Sequence, residues 1–152
     1  MRTRAHTERA DARSWRSTLS KMKTEEEETI LAFICEPKRD RYLAKMASEK
    51  HRSKFLDCLN HCHDIDGQFA RWLPSNVDIG DTLRKAGAPA ECSIISADHN
   101  IDGKRYALDE GIEAAQQSGC AAILCCAPGF LAFYLDESGQ RRALLKHDKT
   151  KN

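Results

Sequence analysis

Two thiols, two imidazoles and a carboxylate fall within seven residues at Cys58-Leu59-Asn60-His61-Cys62-His63-Asp64. On a helix Cys58, His61 and Cys62 lie at i, i+3 and i+4, so all three could face one side. Zinc would take the two thiolates and an imidazole and want a fourth ligand from elsewhere. No second cysteine pair stands at finger spacing, and the adjacent Cys125 and Cys126 would point to opposite faces of a strand. Cys62 also falls on the apolar stripe of Phe55 and Leu59, where a free cysteine behaves as a small buried hydrophobe. The reading is the inward side of a helix, with no metal and no cofactor.

A second group is "SADHNIDGK" (96–104), read as the loop between a strand and the helix after it. In α/β units ligands collect beyond the carboxyl ends of strands. If strands 91–97 and 120–127 are parallel neighbours, Cys126 ends near this loop. Cys126, His99 and Asp98 would then supply nucleophile, base and orienting group, with Ser96, Asp102 and Lys104 to bind a ligand. No nucleophile elbow and no glycine-rich phosphate loop accompanies them, and Asp, Asn and Gly also make plain turns.

A third group is the basic stretch 37–54, with seven Lys or Arg against Asp40 and Glu49, a balance of +5. Arg39, Arg41, Lys45 and Arg52 could bind an anion or a nucleic-acid backbone. Glu25 to Glu28 would partly neutralise them if packed alongside, and a charge run commonly serves as a solvated face.

The elements that must carry these groups follow from periodicity. Thr24 with Glu27 forms a capping-box signature, the acidic first turn suits the helix dipole, and Ile30, Leu31, Phe33 and Ile34 supply an apolar face. Pro37 opens a second helix to about Ala47, with Tyr42, Leu43 and Met46 inward. Ser48 can cap a third over 49–62. "DIDGQFARWLPSN" (64–76) reads as a loop and 77–89 as a short helix. Strands are expected at 91–97, 120–127, 130–137 and, as an edge, 140–147, with a helix over 106–119. The unbroken apolar "CAAILCCA" marks a central strand buried on both faces. Pro128-Gly129 suits a type II turn, and Phe130, Phe133 and Tyr134 fill the core or, left uncovered, offer a dimer or partner surface.

The fold class is therefore α+β: three to four short N-terminal helices packed on a small mixed sheet of three or four strands from residues 91–147. One domain over 24–147 follows a basic, disordered leader (1–23, balance +5) and precedes a short tail (148–152). An organellar targeting role for the leader is opposed by Glu8 and Asp11, and Met22 could itself be a start site.

A net charge of +1 announces no strongly charged partner, and no apolar run approaches the ~18–20 residues of a membrane span. Seven cysteines without framework spacing or a signal peptide point to free thiols in the cytoplasm. The chain reads as a small binding or regulatory module that acts through a protein or small-ligand surface, as monomer or homodimer, with no membrane. One alternative is a thiol-dependent enzyme built on Cys126 and the 96–104 loop. A second, less favoured on the balanced charge, is nucleic-acid binding through 37–54.

Overall fold

The computed structural model describes residues 25–61 and 63–147, His61 by its backbone alone. Thr24 and the basic leader, Cys62, and the tail lie outside the described residues. No described helix is long and apolar enough to cross a membrane.

Helix α1 covers residues 25–33 and buries Thr29, Ile30 and Phe33 while leaving Leu31 outside. It ends in an isolated bridge between Ile34 and Ile65, reinforced by Cys35 N–H to Asp64 O at 2.7 Å and Asp66 N–H to Phe33 O at 2.8 Å. Pro37 then opens α2 (Glu36–Met46), where its missing N–H costs nothing. Ser48 stands at the N-cap of α3 (Glu49–Leu56) but makes no side-chain capping bond. The third helix is shorter than its apolar stripe implied, tightening into a 3₁₀ turn over Asp57–His61.

After a second 3₁₀ turn (Gly67–Phe69) come β1 (Ala70–Leu73), α4 (Ile79–Lys85), β2 (Glu91–Ser96), β3 (Arg105–Ala107), α5 (Leu108–Gln117), β4 (Ala122–Ala127), β5 (Leu131–Leu135) and β6 (Arg142–Lys146). The strands form one six-stranded sheet in the order β1-β6-β5-β4-β2-β3, and every pairing is antiparallel. The class is α+β, but the sheet is neither mixed nor limited to three or four strands. Two short strands account for the difference. Ala70–Leu73 lies in the stretch read as a loop and pairs with β6, so β6 is interior and β1 takes the edge. Tyr106 and Ala107, expected at the start of the 106–119 helix, form with Arg105 a strand that pairs with β2.

Both faces of the sheet are covered. Ile95, Ile123, Cys125, Ala132, Tyr134 and Leu145 pack beneath α1, α2 and α3. Ile94, Leu124, Cys126, Phe133 and Leu144 pack against Ile79 and Leu83 of α4 and Leu108, Ile112 and Ala115 of α5. An antiparallel strand with one wet face would alternate polar and apolar residues; β4 is apolar throughout because neither of its faces is wet. Phe130 sits in the turn before β5 and stays 42% exposed, whereas Phe133 and Tyr134 are fully buried on opposite faces.

Candidate functional site

Helices α2 and α3, joined by Ala47 and Ser48, pack together, and each begins a stripe of positions i, i+3, i+4 and i+7. On α2 these are Lys38, Arg41, Tyr42 and Lys45; on α3 and the 3₁₀ turn that continues it they are His51, Lys54, Phe55 and Cys58. That spacing keeps one face of a helix together, so the two stripes meet. Between them and Asp64 lies an open cleft of about 470 Å³.

The floor is organised by a short chain of hydrogen bonds. The Cys58 thiol donates to Tyr42 Oη at 3.0 Å, and the Tyr42 hydroxyl donates to Asp64 Oδ2 at 2.7 Å. Asp64 is itself held in place through its carbonyl, which caps the bridge at the end of α1. Its other carboxylate oxygen stands 3.9 Å from Lys38 Nζ. Phe55 meets the Tyr42 ring edge-on at a centroid distance of 4.7 Å, with the Arg41 guanidinium over it at 5.8 Å. Burial, helped by the Cys58 and Asp64 contacts, raises the Tyr42 pKa, so the phenol keeps its proton. Burial also raises the Cys58 thiol, and the Asp64 charge adds to this against the partial offset of the Tyr42 bond.

Four permanent cations and His51 thus surround a cleft with one carboxylate. Among the described residues none of Arg41, Lys45, His51 or Lys54 has a carboxylate within ion-pair distance. No glutamate of the acidic first turn of α1 lines this cleft. Glu26 pairs with Arg52 at 2.7 Å and Glu25 with Arg105 at 3.2 Å, both away from the cleft. The cations therefore hold their charge in a concavity, and concavity concentrates a field.

The anion-binding residues expected from sequence divide in two. Arg41 and Lys45 line the cleft. Arg39 donates through Nε to Ile34 O at 2.9 Å, tying down the end of α1. Arg52 faces the other way and is engaged bidentately by Glu26 (2.7 and 2.8 Å) and by Asp102 (2.6 and 3.0 Å). Burial opposes the charge on Arg52, but these two carboxylates outweigh it and raise its pKa.

The 96–104 group is not brought to a thiol as expected. The loop joins β2 to β3, not to a helix, and β2 runs antiparallel to β4 with Ser96 opposite Ala122. Cys126 lies four residues beyond Ala122, about 13 Å along the strand at ~3.3 Å per residue. It is buried beside Cys92 on the α5 side, and burial raises its pKa strongly. A nucleophile must reach its base, so Cys126, His99 and Asp98 form no catalytic set. The thiol that does sense Asp98 is Cys120, raised first by desolvation and next by that carboxylate, the opposite of activation.

The loop's polar groups are used within the fold. Asp98 Oδ1 accepts from Asn100 N–H at 2.9 Å, Ser96 Oγ donates to Ala121 O at 2.9 Å, and Asp102 takes Arg52 and Ser96 N–H. His99 and Lys104 are exposed. Cys58 has its place on the cleft floor, while the His61 side chain and Cys62 lie outside the described residues.

No known protein family, curated protein or solved structure matches this chain. Tyr42, Phe55 and Asp64 are the floor residues that sequence reasoning missed. The repeated stripe of the two helices, Lys38-Arg41-Tyr42 and His51-Lys54-Phe55, is the signal that points to Tyr42 and Phe55; Asp64 stood in the Cys58–Asp64 cluster without a role.

Proposed function

We propose that this protein is a binding or regulatory domain that holds an anionic small ligand in the α2–α3 cleft, without turnover. The observation that carries the reading is the convergence of Lys38, Arg41, Lys45 and Lys54 on one concavity lined by a single carboxylate, Asp64. The volume falls in the range of small-molecule sites, and the rim supplies cationic donors above an aromatic floor. Nucleic acid is the less favoured occupant, because the cations gather around a pocket about two helical turns long, which offers a polymer backbone little track. The free thiols suit a reducing compartment, consistent with the cytoplasm.

Titration of the full chain with inorganic phosphate, pyrophosphate and sulfate tests this, read by thermal shift and calorimetry. A ligand that binds only the folded state raises Tm with its concentration. Lys45→Glu and Lys54→Glu change exposed positions and should each weaken phosphate about tenfold or more, as a loss of about 1.4 kcal/mol implies. Raising ionic strength from about 0.1 M to about 1 M cuts the Debye length from ~10 Å to ~3 Å and should weaken binding further. Equal shifts in the wild type and both variants would defeat the proposal.

A further inference from the structure

Building on that reading, we infer that the ligand is a phosphorylated polyol, whose phosphate lies between Lys45, Arg41 and Lys54 and whose hydroxyl is received by Asp64. The two ends of the cleft differ in chemistry. Only Ala47 and Ser48 separate α2 from α3, and the chain turns back so that Tyr42 meets Phe55 and Cys58; Lys45 and His51 therefore share the end near the connector. Cys58, Asp64 and Lys38 share the other end. Lys38 and Lys45 are seven residues apart on one helix, about 10 Å at 1.5 Å per residue.

The lining toward the connector end has no carboxylate, and its ammonium and guanidinium groups suit a phosphate. At the far end stands a carboxylate in an otherwise cationic cleft. A site built for an anion alone gains nothing from it, since like charge costs affinity. The Tyr42 hydroxyl occupies one Asp64 oxygen, and Lys38 stands 3.9 Å from the other, beyond hydrogen-bond distance. That oxygen keeps lone pairs for a donor on the ligand. Ligand hydroxyls are such donors, and a molecule the length of a hexose phosphate carries one at the right remove from its phosphate. The same chemistry belongs to a free sugar phosphate and to the headgroup of a phosphoinositide lipid.

Calorimetry on the full chain with methyl phosphate, glucose 6-phosphate and inositol 1-phosphate tests the inference. Flotation with phosphatidylcholine vesicles, with and without phosphatidylinositol 4-phosphate, separates the two sources. The wild type should prefer at least one of the hydroxylated phosphates to methyl phosphate by about tenfold, the worth of a hydrogen bond to a charged group. Asp64→Asn should narrow that ratio from both sides, weakening the polyol phosphate and tightening methyl phosphate. Tyr42→Phe, which frees the Asp64 oxygen without changing charge, should shift the ratio while leaving the salt dependence alone. Methyl phosphate binding as tightly as both polyol phosphates in the wild type would overturn the inference and leave the anion site standing. If none of the three phosphates binds and the protein floats with neither vesicle, both readings fall.

Discussion

Arg52 and Lys45 are seven residues apart in a stretch where charge alone makes them alike, yet they do different work. Arg52, with its side chain 18% exposed, forks between Glu26 and Asp102 and so ties α1, α3 and the β2–β3 loop together. Only a planar guanidinium presents donors in two directions for two carboxylates, so lysine is no substitute. The Ser53 hydroxyl, donating to Ala97 O at 3.0 Å, fastens the same loop. Arg52→Ala leaves two half-buried carboxylates facing each other without a cation. It should cost on the order of 2–3 kcal/mol, toward the low side for a broken buried pair because the group keeps some solvent. Urea denaturation should show a lower midpoint at constant m, with phosphate binding near that of the wild type. An unmoved midpoint would mean the fork adds no net stability.

Helix α5 lies so close to β2 that Gly111 leaves no room for a Cβ without a shift of its neighbours. A Cβ on Gly111 would stand 2.5 Å from Cys92 Sγ and 3.3 Å from Tyr106 Cβ. Gly111→Ala gains up to about 1 kcal/mol of helix propensity, but overpacking against the buried Cys92 sulfur costs about 1–3 kcal/mol. The variant should lose about 1–2 kcal/mol in denaturant unfolding. Cys92→Ala removes the clashing atom, so the same substitution in that background should cost at least about 1 kcal/mol less, the coupling expected of touching residues. Strict additivity would place the strain elsewhere. This close packing was not legible in the sequence, because a glycine inside a helical stripe gives no sign of what faces it. The central strand was legible, since the eight apolar residues in a row at 120–127 need cover on both sides. Its direction was not, because burial pattern carries no polarity, and the supposed Cys126 site depended on that direction. The strands β1 and β3 are too short to show a period, and their ladders come from neighbours far along the chain. The cleft was half legible: helical spacing groups Lys38, Arg41 and Lys45, but the side on which α1 docks, and hence the different fate of Arg52, is a tertiary fact.

At the scale of the whole molecule, the net charge of +1 conceals segregation: residues 1–23 and 37–54 carry +5 each, which leaves −9 for the remainder. A balanced total therefore does not argue against an anion site, because the field at a concavity depends on the nearest charges and not on their sum. The sheet beneath is uncharged where it matters, and it stores a different pH dependence. Burial lifts the thiol of Cys92 to about 11 and that of Cys125 to about 12, from an ordinary 9.0. Cys126 is raised further by the same cause. Unfolded, these thiols ionise near 9, while folded they keep their protons. Above that pH the folded state binds more protons than the unfolded one, so stability falls as pH rises. The stabilisation is intact below about 9 and is lost progressively from there through the folded values near 11 and 12. Each thiol contributes a slope of about 1.4 kcal/mol per pH unit in that window. Melting temperatures should therefore be level with respect to these groups from pH 7 to about 8.5 and drop steeply by pH 10. Cys125→Ala should flatten the drop by one thiol's share, even though its lost volume lowers Tm at every pH. A Cys125→Ala profile parallel to the wild type across pH 9 to 11 would mean that this thiol ionises in the folded sheet, and that the two layers do not seal it from water.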